Sequence, residues 1–163
     1  MLKGCPCGYL TDPRRRCRCS STKVASYLAK VSGPLLDRID LHIDVPAVPI
    51  ETLSHAANGE SSAEIKARVL AARRRQRKRL SPLGLSCNAE LRHRDLRAAC
   101  PLTDAAASLL HAAMQELAFS ARSYDRILKI ARTIADLAER DEMLPEHLAE
   151  AIQYRSLDRQ LWT

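Results

Sequence analysis

Apolar residues in the second half of the chain recur with the period of an α-helix. The clearest stripe follows Ser120 and comprises Tyr124, Ile127, Leu128, Ala131, Ile134, Ala135 and Ala138. Because one buried face of a helix recurs every turn, this stripe predicts a helix from Ser120 to about Glu139.

Three further segments in this half predict helices that pack beside the first. They cover residues 88–99, 103–118 and 145–154, with Thr103 as the cap of the second and Pro145 in the first turn of the third. The inward positions of the second helix are Ala106, Leu109, Leu110, Ala113 and Leu117. Because the connections are short, the four helices are predicted to form a compact bundle.

The first half of the chain mixes helical and strand-like patterns. Residues 20–31 predict a short helix that begins with serine and threonine, and Ser32-Gly33-Pro34 ends it. From Ile39 to Val45 apolar and polar residues alternate, and a proline follows. A period of two residues predicts a half-buried strand there. Residues 50–62 read as a polar connector.

A long helix is predicted from Ser61 to about Arg79, because Ser61 and Glu64 have the spacing of a capping box. Its buried stripe is expected to contain Ile65, Val69 and Ala72. The helix ends in RRRQRKRL, a strongly basic run. Two interpretations stay open for this run: a solvated helix C-terminus favoured by the helix dipole, or a contact with a polyanion.

Composition narrows the class of protein. Of the 163 residues 46% are hydrophobic but only 4% aromatic, which indicates a core of Leu, Ile, Val and Ala in packed helices. The net charge of +7 permits an anionic partner such as nucleic acid. No apolar run approaches the roughly 18 residues of a membrane span, and no signal peptide is evident. We therefore expect a cytoplasmic protein with reduced thiols and no membrane partner.

Four of the six cysteines lie close together near the beginning of the chain, as two C-x-C pairs: Cys5, Cys7, Cys17 and Cys19. Clustered cysteines in a reducing compartment are more often metal ligands than disulfides, and the basic D-P-R-R-R between the pairs would stabilise thiolates. The pattern predicts a structural zinc site, although the usual spacing is C-x-x-C. The alternative is four reduced free thiols. Cys87 and Cys100 stand alone and are expected to be buried or neutral surface thiols.

Motifs of a self-contained enzyme are absent from the sequence. It contains neither G-x-x-x-x-G-K-[ST] nor G-x-G-x-x-G, and its five histidines have no ligand spacing. The chain alone is therefore predicted not to be a complete enzyme.

Two arginines nevertheless stand out. Arg38, in L-L-D-R-I-D, lies at the end of a predicted element, where it could reach a neighbouring molecule or pair with an adjacent aspartate. Arg122 lies in the first turn of the most regular helix and forms a basic stripe with Arg126 and Lys129. A helix N-terminus with an arginine favours phosphate, but a solvated face is the more common reason for such a stripe.

Six segments in the same order resemble one protein family. They read CPCGY…DPRRRCRC, GPLLDRIDLHIDVP, GESSAEIKARVLAAR, CNAEL, SARSYDRILKIARTIADLA and HLAEAIQYRSLDR. Together they are similar to the C-terminal part of the magnesium-chelatase-like AAA+ ATPases, and most similar to the ComM/YifB branch. The resemblance extends over residues 5–159.

This resemblance implies a mainly α fold: the end of an AAA+ α/β core with a zinc knuckle, followed by a helical lid. Residues 1–86 would be the core remnant, with the cysteine-rich insertion at 5–19 and the arginine-finger segment at 33–46. Residues 87–163 would be the lid. Family members bind ATP and Mg²⁺ between the subunits of a ring, usually a hexamer, and this branch resembles helicases that act on branched DNA.

The resemblance also implies roles for individual residues. Arg38 matches the arginine finger that reaches the nucleotide of the neighbouring subunit, and Arg122 matches the sensor-2 arginine that contacts the nucleotide of its own subunit. The phosphate loop of the family does not occur in this sequence, and Lys3 stands where the family has its sensor-1 asparagine. We therefore expect a truncated family member that is inactive alone. The alternative is a free-standing basic zinc-knuckle module that binds nucleic acid.

Overall fold

The structure is a computed structural model that describes residues 4–10, 12, 14–43, 45, 48 and 59–160, with side chains up to residue 155. Contacts divide the chain into two compact units, Met1–Ala57 with Leu157–Thr163, and Asn58–Ser156. Within the described residues the helices are α1 Ser21–Leu28, α2 Gly33–Leu36, α3 Ser62–Leu80, α4 His93–Ala99, α5 Asp104–Glu116, α6 Ala121–Leu137 and α7 Pro145–Gln160. The mainly α fold is confirmed.

Local side-chain caps set the first residues of most of these helices. The hydroxyls of Ser20, Thr103 and Ser120 each accept a hydrogen bond from the backbone N–H three residues later. Ser61 does the same with Glu64, whose carboxylate accepts the N–H of Ser61 in return at 2.8 Å. Each cap satisfies a backbone donor that the helix leaves unpaired, so the predicted starts of these four helices are confirmed.

The core of the second unit is aliphatic and is centred on α6. Ile127 and Ala131 of α6 are fully buried, as are Met143 and Leu148. Tyr124 and Ile134 pack at its margin. Backbone hydrogen bonds also link residues 101–103 to Met143, where Leu102 and Met143 form an isolated parallel bridge. The predicted bundle is therefore present.

The predicted burial of α3 is wrong in its first half. Ala72 is buried, but Ile65 and Val69 remain 42% and 44% exposed. The buried positions are instead Ala72, Gln76 and Leu80, at a spacing of four residues. They lie in the second half of α3, and α3 packs against α6. The helical period therefore predicted burial correctly only in the part of α3 that another helix covers.

The predicted strand from Ile39 to Val45 is also wrong for its described residues. Residues 39–43 and 45 are irregular, and their apolar side chains are exposed, up to 65% at Ile43 and Val45. No β-strand occurs among the residues that the structure describes, so none of them pairs with this segment in a sheet. The assignment of this part of the chain to the end of an α/β core stays a prediction. The connector at 50–58 lies outside the described residues.

A buried ionic network joins three segments of the second unit. Arg79 of α3 donates two hydrogen bonds of 2.7 Å to the two carboxylate oxygens of Asp136 in α6. Asn88, in the 3₁₀ turn Asn88–Glu90, accepts from Arg79 at 2.8 Å and donates to Asp136 at 2.9 Å. Arg132, fully buried, lies 3.2 Å from the same carboxylate. The sequence reasoning did not identify this network.

Two predicted boundaries differ from the structure. The segment 88–99 is not one helix, because residues 91 and 92 separate the turn Asn88–Glu90 from α4. Helix α7 continues to Gln160 rather than ending near Tyr154. The compact units divide at residues 57 and 58, upstream of the expected domain boundary at 86 and 87, and the functional division stays a prediction. No described helix is long and apolar enough to cross a membrane.

Candidate metal centre and the two arginines

The structure brings the four clustered cysteines together. Their sulfur atoms all lie within 4.8 Å of one another. The Sγ of Cys5 lies 3.3 Å from that of Cys7 and 3.6 Å from that of Cys17, and Cys7 and Cys17 are 3.5 Å apart. Tetrahedral zinc with Zn–S bonds of about 2.3 Å separates its sulfur ligands by about 3.8 Å. The four thiols are not disulfide-bonded, and their arrangement fits such an ion.

Short-range turns explain how the loop brings the pairs together. The carbonyl oxygen of Cys5 accepts the N–H of Gly8 at 3.1 Å, and Gly8 has a φ of 78°. Glycine adopts this left-handed conformation without steric cost, so the chain can reverse directly after the first C-x-C. A second turn follows, in which the N–H of Asp12 bonds to Tyr9 and that of Arg14 to the Asp12 side chain.

The electrostatics of the cluster favour a bound cation. The backbone N–H of Tyr9, followed by the thiol of Cys5, lowers the pKa of Cys7 to about 6. At Cys17 the backbone N–H of Cys19 lowers the pKa, but burial and hydrogen bonds with the neighbouring thiols outweigh it and raise the pKa to about 12. One sulfur therefore ionises readily, whereas four adjacent thiolates repel one another unless a cation neutralises them.

The loop between the cysteine pairs carries a contact that the sequence reasoning missed. Arg15 donates a hydrogen bond of 3.0 Å to the hydroxyl of Tyr9, and its guanidinium lies 5.3 Å from the centre of the ring. The neighbouring Arg14, Arg16 and Arg18 are exposed. A Tyr-x₅-Arg spacing within a closed loop is a weak signal, because only the turn geometry makes the two side chains meet.

The two arginines singled out from the sequence lie in different compact units. Arg38 is exposed in the turn after α2, where its N–H bonds to the carbonyl of Leu35 at 3.0 Å. Arg122 is exposed in the first turn of α6, beside the capping Ser120. In the predicted basic stripe, Lys129 is half-buried and donates to the carbonyl of Ala89. The stripe is therefore not a uniformly solvated face.

Comparison with known families gives two matches. The model described as "Magnesium chelatase, subunit ChlI C-terminal" matches residues 59–155. The model described as "Magnesium chelatase, subunit ChlI" matches residues 1–53. The first match covers most of the second compact unit, including α6 and Arg122.

Three bacterial relatives are similar over most of this chain. YifB of Salmonella typhimurium is 43% identical over 145 residues, which are 88% of this chain and 28% of YifB. Competence protein ComM of Haemophilus influenzae is 39% identical over 157 residues, 96% of this chain and 30% of ComM. A protein of Mycobacterium tuberculosis is 36% identical over 151 residues, 93% of this chain and 29% of its own length. The chain spans less than a third of each relative.

Proposed function

Because this chain belongs to the family of the magnesium chelatase ChlI C-terminal domain, through residues 59–155, we propose that it works as part of a ring-forming AAA+ ATPase that acts on DNA. The ring is proposed to be a hexamer that migrates branched DNA during transformation or recombination. The name of the relative ComM, a competence protein, supports the DNA role. The phosphate loop that holds ATP and Mg²⁺ is not in this sequence, so hydrolysis is proposed to need residues that this chain does not supply.

The position of Arg122 is the observation that carries this proposal. It lies exposed in the first turn of α6, within the part of the chain that matches the family. The first turn presents backbone N–H groups and the positive end of the helix dipole, which favour phosphate. A guanidinium there adds a bidentate donor. We propose that Arg122 contacts ATP bound by its own subunit.

Arg38 is proposed to act on the nucleotide of the neighbouring subunit. It is exposed directly after α2, whose Leu36 is buried and anchors the turn. A short buried anchor followed by an exposed arginine can hold a guanidinium outward at an interface. Charge develops on the transferred phosphoryl oxygens in the transition state, and an arginine finger stabilises that charge.

We propose a structural rather than catalytic metal. Cys5, Cys7, Cys17 and Cys19 would occupy all four positions of a tetrahedral Zn²⁺, which leaves no position for water or substrate. The ion would hold the loop 5–19 in its closed form.

A second candidate function is a free-standing basic zinc-knuckle module that binds nucleic acid. The closed cysteine loop and its exposed arginines favour it. It differs from the first in needing no nucleotide, no ring and no role for Arg38 or Arg122.

Substitution of the two arginines tests the first proposal in a full-length relative such as ComM. Arg38→Ala at the matching position should reduce ATP turnover about 10³-fold or more and leave ATP binding largely intact. Arg122→Ala should reduce turnover and also weaken binding of a fluorescent ATP analogue. Rings mixed from the two inactive variants should regain partial turnover, because some interfaces pair an intact finger with an intact sensor.

Mixed rings that assemble without regaining any turnover would show that the assignment in trans and in cis is wrong. Normal turnover of the Arg38→Ala protein would exclude this residue as the finger. Two results together would favour the second candidate. The chain would bind DNA tightly without forming rings, and both variants of the relative would keep normal ATP turnover.

A further inference from the structure

We propose that three of the exposed arginines of the cysteine loop, Arg14, Arg16 and Arg18, form a binding surface for the phosphodiester backbone of DNA. This inference rests on the proposed DNA role and deepens it, because it names the surface that contacts the strand. It requires neither ATP nor the roles of Arg38 and Arg122.

The cysteine cluster presents these arginines from a closed loop. Arg16 precedes Cys17, and Arg18 lies between Cys17 and Cys19, whose sulfurs belong to the four-thiol cluster. With the proposed zinc bound, the backbone that carries both arginines would be fixed at the sulfurs, while the side chains are exposed. A fixed backbone lowers the entropy lost when long side chains engage phosphates.

The charged residues near the loop in the sequence are mostly basic. From Gly4 to Leu36 the only acidic residue is Asp12, whereas Arg14, Arg15, Arg16, Arg18, Lys23 and Lys30 are basic. Asp12 engages Arg14 loosely, at 3.9 Å from its Nε, and the Arg14 side chain keeps 53% exposure. Arginine side chains that contact DNA phosphates release the counterions bound there, and this release drives association with DNA.

The basic run at the end of α3 is less suited to this role. Arg75 and Arg79 are bound to Asp141 and Asp136, and Arg73 donates to Gln76 at 3.1 Å. Only Arg74, Arg77 and Lys78 of this run are exposed. Half of the run therefore stabilises the second unit, and the exposed remainder supplies a control of equal charge.

The main competing role for the loop arginines is internal. Four thiolates around one Zn²⁺ leave a net negative charge, and nearby arginines would offset it. That role predicts that their removal weakens metal retention and leaves DNA binding unchanged. The proposed role predicts the reverse, so the two can be separated in one experiment.

The experiment uses the full chain and two triple variants that remove the same charge. The first is Arg14→Gln, Arg16→Gln and Arg18→Gln in the loop, and the second is Arg74→Gln, Arg77→Gln and Lys78→Gln on α3. Each lowers the net charge of +7 by three. Binding of a short fluorescent DNA duplex is measured by anisotropy from about 50 to about 200 mM salt. Zinc content and far-UV circular dichroism are recorded for each protein.

We expect the loop triple to weaken DNA binding at least about tenfold at low salt and to flatten the slope of log K against log salt by up to about 2.7, at about 0.9 per lost phosphate contact. The α3 triple should lose less than about threefold, and both should keep their zinc and helix content. Single-stranded DNA and RNA of equal length serve as further arms. If single-stranded DNA and RNA bind more weakly than the duplex, the surface recognises duplex DNA. If all three bind equally, the surface recognises the phosphodiester backbone that they share.

Equal losses in the two triples would overturn the proposal, because net charge alone would then explain binding. So would loss of zinc with unchanged DNA affinity in the loop triple, or no binding of the unchanged chain at low salt. Tighter binding to vesicles rich in anionic lipid than to DNA would also overturn it. The ATP turnover of the arginine-finger and sensor variants is independent of all these outcomes.

Discussion

Removing the charge of Asp136 is expected to destabilise the second unit strongly. Its side chain is fully buried, accepts hydrogen bonds from Arg79 with both oxygens and from Asn88, and forms an ion pair with Arg132. Arg132 is also fully buried, and burial lowers the pKa of its guanidinium while Asp136 opposes that shift. In Asp136→Asn the side chain keeps nearly the same shape, but the buried arginine loses its counter-charge.

The size of this destabilisation depends on which charged partner of Asp136 remains buried after the substitution. Breaking a buried ion pair by removing one charge costs about 3–5 kcal/mol, because the other charge remains buried without compensation. Arg79 can turn partly to water, since its side chain keeps 23% exposure, whereas Arg132 keeps only its hydrogen bonds to the carbonyls of Arg140 and Asp141. We therefore expect a loss of about 4 kcal/mol, which is a large part of the total stability of a domain of this size.

Urea unfolding followed by far-UV circular dichroism measures this loss. With an m-value of about 2 kcal/mol/M, the midpoint should fall by about 2 M. Asp141→Asn is the matched control, because Asp141 also pairs with an arginine of α3 but its side chain is 96% exposed. An exposed pair contributes about 0–1 kcal/mol, so the control should shift little. The double variant Arg132→Met, Asp136→Leu should recover part of the loss, since no buried charge remains on α6.

A cost below about 1 kcal/mol for Asp136→Asn, no larger than that of the control, would refute this reasoning. It would mean that water or a changed protonation state compensates Arg132. A double variant less stable than the single one would also count against it, because hydrogen bonds rather than the uncompensated charge would then dominate the cost.

Three further predictions concern the metal, the nucleotide and pH. Metal analysis should find one zinc per chain. Cys→Ser at all four clustered positions should abolish zinc binding, whereas the control Cys87→Ser should not. Zinc that persists in the quadruple variant would contradict the site. The isolated chain should neither bind ATP tightly nor hydrolyse it, and robust turnover by a pure sample would contradict the proposed division of labour. Glu90 accepts the N–H and hydroxyl of Ser86, and this backbone bond first, then the hydroxyl, lowers its pKa. Because the folded pKa lies below the unfolded value of about 4.3, Glu90 stabilises the fold above that pH and the contribution fades as pH falls through the folded pKa. Unfolding midpoints measured between neutral and acidic pH should therefore fall less steeply in Glu90→Gln, and an unchanged slope would show that this hydrogen bond does not matter.

Local features of the fold could be predicted because their causes lie within a few residues. Ser61 and Glu64 form the predicted capping box, and Ser120 caps α6 as expected. A cap depends only on residues three positions apart, so sequence alone determines it. The cysteine cluster is also local, because its two C-x-C pairs lie within one short loop that keeps them close together.

Features that depend on a partner elsewhere could not be predicted in this way. The alternation from Ile39 to Val45 is typical of a strand, but a strand exists only where another offers its backbone N–H and C=O groups, and the described residues offer none. Ile65 and Val69 have the spacing of a buried stripe, yet they are exposed because burial depends on which part of α3 another helix covers.

The ionic network shows the same limit at the level of single side chains. Arg79 reads in the sequence as one residue of a solvated basic run, and its bond to Asp136 spans 57 positions along the chain. Only the i, i+4 spacing of Arg132 and Asp136, on a face formed mostly by apolar residues, could have indicated a buried pair. The sequence by itself determined the capped helix starts and the cysteine loop, because each depends on neighbours along the chain. Tertiary structure decided which charges are buried and which apolar faces are covered, because both depend on residues that only folding brings into contact.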